Sequence, residues 1–386
     1  MKSLAVVNPR QEMDGIPDVR GPLPAWMSPI TWPLARCYGI GVAWRNARFD
    51  RGVGVERLEV RASENRASVG GVVAVEPSVV SIGNLTAGGT GKSPFVAWCA
   101  TELASIGAKP IIALRGYRAA RVGASSEVIS DEAAEYASTA PMAKVVVGAR
   151  RREALVAELA PLTAENWRNR AAVLLDDGFQ HRQLARDLDV VLVDASRPGL
   201  DGDLLPNGWL REPARNLSRA DLVVLTKSDD EVQRARAAAL VAKFRGRPHD
   251  AVCVHTWDGL EVMAARGREV ISVAEFAERR VLSACALGNP SHFHEMVVRA
   301  GARMIAKLEK PDHRPFTLAE LEQAASRAGV REVVLSRKDF VKLDVKSSSA
   351  MELLIPQLSI AFLEGEERVR AAIARVVNER SSRASA

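Results

Sequence analysis

With 386 residues, 47% of them hydrophobic and 26% charged, the chain is long enough for two domains and too apolar for a disordered one. Its formal charge of +6, carried by 42 arginines against 11 lysines, suits anionic oxygens, which the guanidinium fork grips bidentately; a GC-rich genome gives the same bias. Only 5% of residues are aromatic and no basic stripe interleaves with them, which argues against nucleic acid as a partner. Four dispersed cysteines, Cys37, Cys99, Cys253 and Cys285, argue against a disulfide framework or a zinc site and point to a reducing cytoplasm.

Residues Met1 to Gly21 carry no periodic pattern and lack the apolar core of a secretory signal. In "PLPAWMSPITWPLARCYGIGVAWRNARFDRG", Pro29, Pro33 and Arg36 break an apolar stretch containing Trp26, Trp32 and Trp44, leaving it short of the ~20 continuous apolar residues a spanning helix needs. A helix from near Pro33 puts Leu34, Cys37, Tyr38 and Gly41 on one face, with Arg36, Arg45 and Arg48 elsewhere. Such a helix either lies in a membrane interface or packs on the protein's own core. Residues 52–76 read as a loop or hairpin insertion.

The stretch "SIGNLTAGGTGKSP" follows a short apolar strand, "PSVVSIG", and precedes "FVAWCATELASIG", whose spacing predicts a helix ending near Gly107. Strand, Gly-rich loop and helix are the parts of a phosphate-binding loop. Its candidate residues are Thr86, Ala87, Gly88, Gly89, Thr90, Gly91, Lys92 and Ser93, with Thr86 standing where the general pattern has its first glycine. The glycines accept the backbone angles that turn N–H groups inward, Lys92 reaches β/γ oxygens, and Ser93 offers a hydroxyl to Mg²⁺. Pro94 fits the start of the helix. The competing reading is a Gly-rich surface turn.

Apolar runs at "PIIAL", "KVVVG", "AAVLLDD", "DVVLVDA" and "DLVVLTK" alternate with helical stretches such as "RRREALVAELA". This predicts an α/β fold, a P-loop NTPase-like and largely parallel sheet with helices on both faces. A second α/β set follows, through "RRVLSACALGNP", "HFHEMVVRAG", "RMIAKLEK", "TLAELEQAASRAG" and "EVVLSRKD", giving a smaller C-terminal lobe. The expected divisions are 1–50, an N-terminal extension with an interfacial helix; 51–265, the P-loop core; and 266–386, the smaller lobe with the final helix. Asp176 and Asp177 end an apolar strand where a P-loop protein holds its metal-binding carboxylate; on a strand they would point opposite ways. Alone, Asp-Asp-Gly also reads as a turn. His292 and His294 read as structural.

Together, "GNLTAGGTGKSP", "LLDDGFQHRQLARDLDVVLVDA" and "LLPNGWLREP" resemble the tetraacyldisaccharide 4'-kinase family, the lipid A 4'-kinases of Gram-negative bacteria. "LRGYR", "LGNPSHF", "PDHRPFT" and "SRKDFVKL" match in family order, so the resemblance covers residues 81 to 343. That family also carries a threonine at the Thr86 position. The resemblance implies transfer of the ATP γ-phosphate to the 4'-hydroxyl of tetraacyldisaccharide 1-phosphate, forming lipid IVA, with ATP and Mg²⁺ as cofactors. It also implies a peripheral place on the cytoplasmic face of the inner membrane, with no obligate protein partner evident. Lys92 would neutralise phosphate oxygens, Ser93, Asp176 and Asp177 would hold or surround the metal, and Arg211 would stabilise charge or bind the lipid phosphate. By the same resemblance Asp131 is the base and His313 its partner. Ser130 and Ala133 replace the family's glycine and proline around the Asp-Glu pair, Arg314 follows the histidine, and Arg337 stands where glutamate is commoner. Asp131 also suits a helix cap, and His313 a structural role in a loop. The rival reading is a GTP- or ATP-driven switch of the metallochaperone class, because Thr226-Lys227-Ser228-Asp229 approximates a guanine-reading element. A third is a membrane-surface scaffold without catalysis.

Overall fold

The computed structural model describes residues 21–63, 72–116, 120–121, 128–129, 131–160, 170–264, 267–311, 314–343 and 351–385. They divide into two compact units, one of Asp18–Val254 with Ala361–Ala386, the other containing His255–Ile360.

The first unit opens with helix α1 (Ser28–Asp50), five residues ahead of the expected start; Pro29 lies in its first turn and Pro33 inside it. A proline in the first turn removes only an N–H that has no intrahelical partner. An antiparallel pair, β1 (Val60–Ser63) and β2 (Val72–Val75), occupies the expected insertion. Then come β3 (Ser78–Gly83), α2 (Lys92–Ser105), β4 (Lys109–Leu114), the short antiparallel pair β5 (Ala120–Arg121) and β6 (Val128–Ile129), α3 (Asp131–Thr139), β7 (Lys144–Val147), α4 (Arg151–Leu159), β8 (Ala171–Asp176), β9 (Leu188–Asp194), β10 (Leu222–Thr226) and α5 (Glu231–Arg245).

Strands β10, β9, β3, β8, β4 and β7 lie side by side in that order, all parallel. Every residue of β3, β8 and β10 is buried, the mark of a sheet covered on both faces, which is why these strands read as unbroken apolar runs. Leu155 and Leu159 of α4 pack with Val79, Ile111 and Val173. Ala237 and Val241 of α5 pack with Val191, Val223 and Leu225.

The second unit builds on β13 (Arg280–Cys285), which pairs in parallel with β14 (Arg303–Glu309) and β15 (Glu332–Leu335); β15 pairs in turn with β16 (Glu352–Glu364). The long β11 (Ala251–Ala264) folds back on β12 (Gly267–Ile271). Helices α6 (Val273–Phe276), α7 (Pro290–Arg299), α8 (Leu318–Ala328) and α9 (Arg337–Phe340) connect them. A capping box of Thr317 and Glu320 starts α8, and Gly329, at φ +64°, ends it. The final helix, α10 (Glu366–Ser385), departs from the expected division: it packs on α2 and β3 in the first unit, and just before it Phe362 of β16 meets Trp98 of α2 with ring centroids 4.8 Å apart and planes tilted by 54°. Strand β16 ends in that unit and so returns the chain to it.

Candidate active site

The loop between β3 and α2 has the shape its glycines allow. Gly88 and Gly91 take φ of +128° and +79°, values that strain any side chain with a Cβ. Thr86 does not need such freedom. It pairs with Leu210 in an antiparallel bridge, Ala87 N donates to Trp209 O at 2.7 Å, and Arg211 N donates to Leu85 O at 2.8 Å. An extended, buried position suits a β-branched residue, so the departure from the general pattern has a local cause. Helix α2 starts at Lys92, and Pro94 falls third, where its missing N–H is still outside the intrahelical ladder.

Lys92 Nζ donates to Asn84 Oδ1 at 3.0 Å and lies 3.7 Å from Asp177 Oδ1. Arg211 places one guanidinium nitrogen 2.7 Å from both Asp177 oxygens. Asp177 lies beyond the end of β8 at φ +52°, so the two acids diverge through a turn and not by the alternation of a strand. Burial pushes the Asp177 carboxyl up, but the Lys92 and Arg211 charges, Arg211's hydrogen bonds and the Arg151 charge outweigh it and hold it below the usual carboxylate range.

Asp176 has different surroundings. It is buried, its Oδ2 accepts the Tyr136 hydroxyl at 2.9 Å, and its Oδ1 has no hydrogen-bond partner among the described residues. Burial, the Asp176 charge and the Glu135 charge push the Tyr136 phenol well above its ordinary range, so it stays a donor. Ser93 hydrogen-bonds to the same phenol. The turn after these acids is tight: a Cβ on Gly178 would stand 2.7 Å from Ser81 Oγ.

Behind this front lies a saturated carboxylate. Glu212 is fully buried and accepts from Gln180 Nε2 at 2.9 Å, Asn216 Nδ2 at 2.8 Å, Arg219 Nη1 at 3.0 Å and Asn46 Nδ2 at 3.0 Å. Burial raises its pKa, yet the Arg219 charge and these hydrogen bonds bring the net shift below the ordinary value. Gln180 also donates to Asn84 O. Helix α1 thereby joins the site, and Tyr38 adds a 2.7 Å bond to Arg211 O. Thr31, Ala35, Val42 and Asn46 form its buried face. Leu34 and Tyr38, expected together on one face, are exposed, as are Trp26, Ile30, Trp32, Ile40 and Trp44.

Lys227 is buried beside the loop, 2.6 Å from Asp194 Oδ2. His181 is held down to about 4 by burial and by the Arg151, Arg186 and Arg115 charges, so its imidazole is neutral. His294 is held to about 4 by burial and the Lys307 charge, with Ser283 Oγ 2.7 Å from its Nδ1. Asp131 opens α3; its side chain lies outside the described residues, as does His313 altogether. The structure thus brings together Lys92, Ser93, Asp176, Asp177 and Arg211. Sequence reasoning left Asn84, Tyr136, Gln180 and Glu212 without roles, although Asn84, Gln180 and Glu212 lie within quoted motifs.

A model of the tetraacyldisaccharide-1-P 4'-kinase family matches residues 27–378. A tetraacyldisaccharide 4'-kinase of Chlorobium luteolum is 31% identical over 369 residues, 90% of this chain and 97% of that one. One of Anaeromyxobacter dehalogenans is 35% identical over 347 residues, 86% of each chain. Among solved structures, an "apo" form LpxK from Aquifex aeolicus in complex with ATP is similar in fold, with a TM-score of 0.61 at 24% identity over 90% of this chain and 98% of that one. A match that runs from α1 into α10, together with a divergent phosphate loop faced by Asp176, Asp177 and Arg211, leads to one assignment: the chain belongs to the tetraacyldisaccharide-1-P 4'-kinase family.

Proposed function

We propose that this protein transfers the γ-phosphate of ATP to the 4'-hydroxyl of tetraacyldisaccharide 1-phosphate, forming lipid IVA at the cytoplasmic face of the inner membrane. The observation that carries the reading is the convergence of Lys92 and Arg211 on Asp177 beside a loop whose Gly88 and Gly91 take positive φ. Phosphoryl transfer depends mainly on positioning and on charge stabilisation. Lys92 and Arg211 are the cations for the transferred group and Asp177 holds both in place.

The residues present fit a magnesium ion. Asp176 Oδ1 is a buried carboxylate oxygen without a partner among the described residues, a costly arrangement unless a cation or donor meets it, and the Ser93 hydroxyl shares its phenol neighbour. Asp176 and Ser93 would hold the ion. Bound there, magnesium would neutralise charge on the β and γ oxygens.

Asp131 is the proposed base for the acceptor hydroxyl and His313 its partner, as the family resemblance implies. In support, Asp131 opens the helix whose Tyr136, about 7.5 Å further along the axis, bonds Asp176. The acceptor's acyl chains place it in lipid, and α1 with the 3-10 turn before it, Ala25–Met27, offers a matching surface: Trp26, Ile40 and Trp44 are 76%, 71% and 64% exposed, with Arg36 over the Trp32 ring and Arg48 over the Trp44 ring. Aromatics with arginines suit an interfacial helix. Among the described residues no helix is long and apolar enough to cross a membrane. The GTP-switch alternative is not favoured, since the family match runs far beyond the nucleotide loop.

The test is transfer of labelled γ-phosphate to tetraacyldisaccharide 1-phosphate in detergent micelles. Wild type should label the lipid, and Asp131→Asn should lose most of the rate while keeping nucleotide affinity. Label from both would remove Asp131 from the base role. No label from wild type with nucleotide bound would overturn the kinase reading.

A further inference from the structure

The Thr226-Lys227 pair ends β10 in an uncommon way. Lys227 takes φ +50°, a region a lysine seldom enters without some compensating contact. Its buried ammonium donates to Gly89 O and, at 2.6 Å, to Asp194 Oδ2. Asp194 is itself oriented by Ser196, whose N–H and hydroxyl donate to Oδ1 at 3.0 and 2.6 Å. Next to it, the Thr226 hydroxyl donates to Thr90 O at 2.8 Å.

Both acceptors are carbonyls of the phosphate loop. A peptide plane is rigid, and its C=O and N–H point opposite ways. Fixing Gly89 O therefore fixes the N–H of Thr90, and fixing Thr90 O fixes the N–H of Gly91. A loop built from glycines has weak intrinsic preference for one orientation of these planes, while phosphate binding needs the N–H groups facing inward. We infer that Lys227, braced by Asp194, and Thr226 are positioning residues for the reaction: they clamp the Gly89–Thr90 and Thr90–Gly91 peptide planes in the phosphate-accepting orientation. The lysine of the apparent guanine-reading element is thus committed to the loop.

This inference rests on the kinase reading, so nucleotide binding is measured apart from transfer, by the rise in Tm that Mg-ADP gives. Lys227→Met with Asp194→Asn removes both buried charges together and leaves neither unpaired. Expected are a Tm without ligand within a few degrees of wild type, a smaller Mg-ADP shift, a KM for ATP raised about tenfold or more, and a KM for the acceptor within about twofold of wild type. Lys227→Arg, which keeps the charge, should recover part of the loss. A folded double variant with wild-type ATP kinetics and a full Mg-ADP shift would overturn the clamp, as would acceptor and ATP KM values rising in parallel with a fall in Tm. Thr226→Val keeps the shape without the donor. If the double variant does not fold, a threefold to tenfold ATP-selective loss in Thr226→Val supports the clamp and unchanged kinetics reject it. Absence of transfer by wild type would sink the kinase reading, with the Mg-ADP shifts still deciding this one.

Discussion

Arg211 reaches Asp177 through one guanidinium nitrogen, 2.7 Å from each carboxylate oxygen. The same nitrogen also donates to Gln180 Oε1, at a longer 3.5 Å. A group held this way is aimed before any phosphate arrives. Arg211→Ala should lower kcat by about 10²–10³, with the acceptor KM changed less than tenfold. A rise confined to the acceptor KM would instead assign Arg211 to the lipid phosphate.

Asp176 and Asp177 should separate experimentally. Asp176→Asn keeps an acceptor for the Tyr136 hydroxyl but removes the charge suited to magnesium, so the Mg²⁺ concentration for half-maximal rate should rise by about tenfold or more. Asp177→Asn loosens Lys92 and Arg211, so its loss should appear in kcat and persist at saturating Mg²⁺. Magnesium titrations of the two variants check this; identical Mg²⁺ dependence in both would refute the division of labour.

The histidines set an acid limit on stability. His181 and His294 both sit at about 4 in the fold against an ordinary 6.5, so the unfolded chain binds more protons between those values. Their neutral forms favour the fold fully above about pH 6.5, and that contribution is lost as pH falls toward 4. Tm should decline from pH 7 to pH 5, and His294→Asn should flatten the decline. Equal slopes in variant and wild type would rule His294 out as a contributor.

The exposed tryptophans of α1 and of the turn before it offer a fourth test. Replacing Trp26, Trp32 and Trp44 with serine should reduce sedimentation with anionic lipid vesicles by about tenfold or more, since each ring buried in an interface contributes on the order of 1–3 kcal/mol. Tm should move by no more than about 2 °C, because exposed positions carry little of the fold's stability. Unchanged vesicle binding would place the membrane contact elsewhere.

The core sheet was legible because its strands are unbroken apolar runs separated by helical periodicity; β3, β4, β7, β8, β9 and β10 lie where those runs lie. Strands β11 and β16 were not legible. In β11, Asp258-Gly259 reads as a turn, and in β16 Pro356 argues against a strand; both strands run through these signals and pair with neighbours at flanking residues, Leu260–Ala264 in β11 and Glu352–Leu354 in β16. The loop, Lys92, Ser93 and the two acids were visible as types and spacing, whereas Asn84, Tyr136, Gln180 and Glu212 act through contacts between segments up to 166 residues apart in sequence. No local pattern encodes such a contact. The start of α1 was hidden because two prolines in one turn read as a break.

The saturated Glu212 makes the N-terminal helix hard to exchange. Its carboxylate draws donors from residues 46, 216 and 219 to Oε2 and from residue 180 to Oε1, and a vacancy at any of them removes a hydrogen bond from a buried charge. A chimera that grafts another relative's first fifty residues onto this unit must bring an amide at position 46 to keep the bond to Glu212. Substitution along the helix is therefore freest at the outward positions, while Asn46 is tied to Glu212 of the Leu-Arg-Glu-Pro segment.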